Sequence, residues 1–173
     1  MAAGGGLALS MMPFNPLSQY RPKKINPIVL ENQKPGSTDW QLTRVRPDKS
    51  LQRTPYIEGY CSRQSVKVGE KLDIMVSTSE TVKYKLDIYR TGYYGGTGAR
   101  LVHSFNSLQG FDQGTPEPGE MDVHECNWKV SASLTIPNDW LSGVYIGKLE
   151  TLPGSPDKPY WESYIIFVVK DDR

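Results

Sequence analysis

Histidine and cysteine each occur only twice in this chain of 173 residues, as His103 and His124 and as Cys61 and Cys126. Two cysteines are too few for a disulfide framework or a cysteine-based zinc site, though they permit one long-range bridge in an exported protein. Two histidines leave little neutral-pH acid–base chemistry. No apolar run approaches the ~18 residues a membrane helix needs. A formal net charge of +1 gives no bulk attraction for nucleic acid or anionic membrane. A sustained helical period is also missing, so helix-based architectures have no support.

What is present is period-two alternation punctuated by turn residues. Val82, Tyr84, Leu86 and Ile88 alternate with Lys83, Lys85, Asp87 and Tyr89, and Leu101, His103 and Phe105 alternate on the return. Leu72, Ile74 and Val76 form another half-buried pattern, and Trp128, Val130, Ala132, Leu134 and Ile136 form the cleanest one. Tyr56 to Ser62 and Gln64 to Val68 read as strands, with a first strand over Asp39 to Val45 carrying Trp40, Leu42 and Arg44. Gln109 to Gly119 reads as a surface loop, and Pro153, Gly154, Pro156 and Pro159 mark a turn. The apolar run Ile165 to Val169 suits a strand in an interior.

Seven to nine short strands predict an all-β fold, an immunoglobulin-like antiparallel sandwich, with a jelly roll as the alternative. Tyr145, just after a corner, predicts a hydroxyl bonded back to the preceding turn. The sandwich is expected over residues 36–173 and an extended tail over 1–35. Met1 to Ser10 resembles the Gly/Ala-rich part of a twin-arginine export signal. A periplasmic or secreted location follows, in which Cys61 and Cys126 would be bridged; if the amino terminus is genuine the location is cytoplasmic and both are reduced.

Between the alternating segments lies Tyr89 to Val102, with Gly92, Gly95, Gly96 and Gly98 around the pair Tyr93 and Tyr94. Glycines there serve a hairpin connection; tyrosine beside glycine also makes a recognition loop. The candidate interaction residues are Tyr93, Tyr94, Gly95, Gly96 and Arg100. In one reading they dock on a partner; in the other the tyrosines cap the sandwich and Arg100 pairs internally, for instance with Asp87. The glycine spacing fits neither a P-loop nor a dinucleotide fingerprint.

No catalytic constellation emerges. A zinc set of His103, His124 and Cys126 is disfavoured by its placement on strands, and His103 reads as a packed histidine. Asp112, Glu117, Glu120 and Asp122 lack calcium-loop spacing and read as a solvated acidic loop. No metal or cofactor is expected.

Ile57-Glu58-Gly59-Tyr60-Cys61-Ser62, Ser65-Val66-Lys67-Val68-Gly69-Glu70, the Tyr89–Gly96 stretch with Gly98-Ala99-Arg100, Cys126-Asn127-Trp128 and Ser142-Gly143-Val144-Tyr145 carry a resemblance. Taken in order over about Gln33 to Asp172, they resemble the amino-terminal region of proteins related to the N,N-dimethylformamidase large subunit. The resemblance implies an iron-dependent hydrolytic centre in a larger domain that follows, so no site residue carries over to this chain. A complete sandwich pattern without a catalytic constellation reads as a non-catalytic accessory domain that packs on a catalytic domain or sister subunit. The alternative is a carbohydrate- or surface-binding module using Tyr93, Tyr94, Trp140, Tyr160 and Trp161 to stack on sugars.

Overall fold

Alternation of the two longest patterns places Leu72, Ile74 and Val76 on one face of a strand, and Tyr84, Leu86 and Ile88 on one face of the next. All six are fully buried. The computed structural model describes residue 1 and residues 25–47, 53–155 and 157–171. The Met1 to Ser10 stretch beyond its first residue, the prolines at 13, 16 and 22, and Pro156 lie outside the described residues.

The elements are α1 (Pro27–Asn32), β1 (Ile57–Cys61), β2 (Ser65–Lys67), β3 (Lys71–Thr78), β4 (Lys83–Thr91), β5 (Ala99–Gln109), β6 (Ala132–Thr135), β7 (Gly143–Leu152) and β8 (Glu162–Lys170). They form two sheets, of order β1-β3-β6 and β2-β8-β7-β4-β5. The short β2 runs parallel to β8. The other pairings are antiparallel. The fold is an all-β sandwich.

Between the sheets, Ile57, Val66, Leu134, Ile136, Tyr145, Leu149, Ile165, Phe167 and Val169 complete the core begun by β3 and β4. Each large side chain fully removed from water contributes ~1.5–3 kcal/mol. Trp140, Tyr145 and Phe167 stack in series, with centroids 4.7 and 5.5 Å apart. The Tyr145 hydroxyl donates to the Leu141 carbonyl at 2.7 Å, the expected bond to the preceding turn. Gly147 makes room at the centre, since a Cβ there would lie 2.5 Å from Ile165.

Four expectations are corrected. Asp39 to Val45 is not a strand but a strap over the outer face of the five-stranded sheet. Its backbone bonds go largely to side chains: the Lys148 ammonium donates to the Asp39 and Gln41 carbonyls, both at 3.0 Å, and one main-chain bond, from the Glu162 N–H to the Arg44 carbonyl at 2.9 Å, joins it to β8. The Trp128 pattern shortens to β6, because Gln113 inserts its amide beside it. That amide donates to the Val76 and Lys129 carbonyls at 2.8 and 3.0 Å and accepts from the Lys129 N–H at 2.7 Å.

Helix α1 interrupts the supposedly extended tail. Asn26 caps it by accepting from the Ile28 N–H at 2.9 Å, and Pro27 takes the first helical position. The Ile165 to Val169 run alternates: Ile165, Phe167 and Val169 face the core, whereas Ile166 and Val168 face out.

β5 is the far edge of the larger sheet, and two irregularities mark its register with β4. Tyr84 faces Leu108 but Leu86 faces Phe105, and Ile88 faces His103 but Tyr89 faces Leu101. Each step places an extra residue on β5, which makes both of them β-bulges.

Candidate functional site

The Tyr/Gly loop begins where β4 ends. The Gly92 N–H donates to the Gly98 carbonyl at 3.0 Å, closing the loop, and the Gly96 N–H donates to the Tyr93 carbonyl at 2.7 Å. Tyr94, Gly95 and Gly96 all have positive φ, at 41, 68 and 95°. Two glycines accept that conformation without a Cβ penalty. Tyr94 has a Cβ, and a left-handed backbone costs a non-glycine residue ~1–3 kcal/mol. Its phenol accounts for the tolerance. It accepts from Arg90 Nη1 and donates to Glu31 Oε1, both at 3.0 Å.

Glu31 comes from α1, which lies against the loop. Its Oε1 accepts from Arg100 Nε and Nη2 at 2.8 and 2.5 Å, and its Oε2 pairs with the Lys34 ammonium at 2.7 Å. The next residue, Asn32, accepts from the Tyr93 N–H at 2.6 Å. Burial alone would push the Glu31 carboxyl up, but bonds from Lys34, Arg100 and Tyr94 outweigh it and bring its pKa to about 2. Arg90 sits deeper, its Nη2 donating to the Ser142 carbonyl at 2.9 Å, while its Nε is buried without a partner.

The structure therefore divides the five candidate residues. Tyr94, only 2% exposed, and Arg100 are internal. Arg100 pairs with Glu31 and not with Asp87, which accepts instead from Ser104 Oγ at 2.7 Å and pairs with Lys85 at 3.2 Å. Tyr93 is 71% exposed. Gly95 lies beside it on the rim of an open groove of about 610 Å³, together with Ile28, Val29, Lys34 and Pro35. Gly96 has open space where a side chain would stand.

The helix forming this groove is turned inside out. Its charged residue, Glu31, is 4% exposed, while Val29 and Leu30 and the preceding Ile25 are exposed apolar side chains. Sequence reasoning missed Glu31 and Asn32. The signal that announces them is the Asn26-Pro27 start of a helix, with a single acid four residues on.

The two cysteines are free thiols. β1 turns Cys61 toward the core, and burial pushes its thiol up to about 12. Tyr60, the preceding residue, points the other way, and its hydroxyl donates to the Cys126 carbonyl on the outer face at 2.9 Å. Successive strand residues face opposite sides. The expected bridge is therefore replaced by one half-buried and one exposed thiol.

His103 packs edge-on against Phe105 at 4.7 Å, and His124 Nδ1 lies 2.8 Å from the Pro116 carbonyl. Among the described residues no three His, Cys, Asp or Glu side chains gather to hold a metal. No helix among them is long and apolar enough to cross a membrane. Of the rings considered for sugars, Tyr94 and Trp140 are buried, Trp161 packs on Tyr56 at 4.9 Å, and Arg44 lies over Tyr160 at 5.1 Å.

Fold and loop together define a β-sandwich domain in which Glu31, Lys148 and Glu162, all buried, hold the strap and helix of residues 25–47. A family model described as N,N-dimethylformamidase beta subunit-like, C-terminal, matches residues 85–173, just over half of the chain. The chain belongs to that family. The match begins within β4 and takes in the Tyr/Gly loop. Its description names a C-terminal region, where the motifs had suggested an amino-terminal one. No curated protein matches the chain.

Proposed function

We propose that this chain is a non-catalytic accessory domain of an N,N-dimethylformamidase-like hydrolase, docking on a catalytic domain or sister subunit through α1 and Tyr93. The observation that carries this reading is the inverted helix. A six-residue helix that buries its carboxylate and presents Val29 and Leu30 to solvent is better suited to a partner than to water. Support comes from the ion pairs around it. Glu31, Arg100 and Tyr94 are committed to holding α1 on the loop, which makes them poor candidates for proton transfer.

The strand order belongs to the same reading. β3 beside β6 in one sheet, and β8-β7-β4-β5 with β2 parallel to β8 in the other, supports an immunoglobulin-like connectivity. Export is a separate proposal, to which two free thiols lend no weight; amino-terminal sequencing of protein recovered from the periplasm decides it. The carbohydrate alternative retains only Tyr93 as a ring with an open face near the groove.

The docking test replaces exposed atoms only. Val29→Ser combined with Tyr93→Ala should leave thermal stability unchanged and abolish association with the separately expressed catalytic polypeptide of the same protein, read by size-exclusion chromatography. Undiminished association would overturn the reading.

A further inference from the structure

The groove beside α1 is apolar at its floor and carries one cation, Lys34, at its rim. Ile28, Val29 and Tyr93 supply the apolar part. Around the buried carboxylate of Glu31 stand Lys34 and Arg100 in direct contact, with Arg90 one hydroxyl away through Tyr94. Three cations thus face one anion. Arg90 bonds only to neutral oxygens, the Ser142 and Thr91 carbonyls and the Tyr94 phenol, and its buried Nε has no partner. The cluster therefore carries an excess of positive charge, and Lys34, paired with Glu31 but more than half exposed, is its member at the groove mouth.

Resting on the docking reading above, we propose that the groove takes a short apolar segment of a partner that carries carboxylates at one end, the carboxylates lying at the Lys34 side. Charge complementarity selects this occupant. The chain's own preceding segment, residues 2–24, is rich in apolar side chains but holds Arg21, Lys23 and Lys24 and no Asp or Glu. It matches the floor and opposes the rim. A complementary rim mainly sets register and association rate, while the apolar floor supplies most of the affinity.

Three synthetic hexapeptides test this on the full chain. They share the apolar half Leu-Val-Ala-Leu and end in Glu-Glu, Gln-Gln or Lys-Lys. Binding is followed by amide chemical shifts of Val29, Tyr93 and Gly95. The Glu-Glu peptide should bind about fivefold to tenfold tighter than the Lys-Lys peptide at low salt, the size expected of one or two rim charges. Lys34→Gln, a change at an exposed position, should shrink that gap, and 1 M salt should erase it.

Equal affinities, shifts that map elsewhere, or no binding at millimolar peptide would overturn the proposed chemistry. So would a concentration-dependent dimer that shields the same amides, which would assign the groove to a second copy. Failure here leaves the trans-association experiment with Val29→Ser and Tyr93→Ala as the separate judge of docking itself.

Discussion

Two carboxylates pin residues 25–47 to the sandwich, Glu162 from below the strap and Glu31 from above the loop, and their surroundings differ in one respect. Glu162, 2% exposed, pairs with Lys148 at 2.7 Å and accepts from the Thr43 and Arg44 N–H groups at 2.5 and 2.8 Å. Tyr164, on the same strand, donates to the Trp40 carbonyl. The strap that these groups hold roofs them over, while Val45 at its end and Ile166 and Val168 further along β8 stay exposed. Glu31 is buried almost as fully, yet the helix carrying it exposes its apolar side chains. Burial of an ion pair does not by itself separate a structural staple from a binding surface. What differs is the donors: Glu162 accepts from backbone N–H groups of the strap, whereas Glu31 accepts from side chains.

That contrast is sharpest under mutation. Glu162→Ala leaves Lys148 buried without its counter-ion and releases two strap N–H groups. The expected loss is about 3–5 kcal/mol, the cost of breaking a buried pair by removing one partner. Urea denaturation followed by tryptophan fluorescence measures it. A loss below ~1 kcal/mol would show that the strap is not held as described.

Glu31→Gln keeps a hydrogen-bonding oxygen for Arg100 and Tyr94 but removes the charge. A smaller loss of about 1–3 kcal/mol follows from weakening charge-assisted bonds. The same denaturation experiment, run on both variants, ranks the two staples.

Acid weakens both. Glu31 ionises in the folded protein with a pKa of about 2, below its ordinary value of 4.5, and Glu162 is held low as well, burial being outweighed by Lys148, Thr43 and Arg44. A depressed carboxyl contributes stability that is complete above the unfolded pKa and disappears as pH falls toward the folded one. Stability should therefore be flat near neutrality and decline from about pH 4.5 toward 2. Glu31→Gln should remove its share of that slope, and an unchanged slope would contradict the assignment.

The smallest effect is expected at the surface. Tyr93→Ala with Val29→Ser should stay within about 0.5 kcal/mol of the parent, since both side chains are exposed in the free domain. A large loss by calorimetry would mean that the groove is part of the domain's own packing.

The sandwich was legible because its strands obey a period of two with polar residues on the wet face. Leu72, Ile74 and Val76 could be assigned inward from spacing alone, as could Tyr84, Leu86 and Ile88. Misreadings occurred where side chains take the place of strands. Trp40 to Arg44 has strand-like alternation, but Lys148, Glu162 and Tyr164 satisfy its carbonyls and N–H groups in place of a neighbouring strand. Trp128 and Val130 continue the alternation of β6 past the point where Gln113 takes over the bonding. The Tyr/Gly loop was legible as a loop. Its division was not, because whether Tyr93 or Tyr94 turns inward depends on three consecutive positive φ values and on Glu31, a residue 63 positions away in sequence from Tyr94.

The bulges in β5 bear on how this protein behaves when crowded. From Leu101 to Leu108 the edge strand has no charged residue and no proline. Long, regular edges of that composition recruit neighbouring chains into fibrils. Here the regular stretches are only Ala99 to Leu101, His103 to Phe105 and Leu108 to Gln109, each broken from the next by one inserted residue. An incoming strand would fall out of step after about three residues. Deleting Val102 together with one of Asn106 or Ser107 would restore a continuous ladder, and with it a route to amyloid that the native spacing keeps shut.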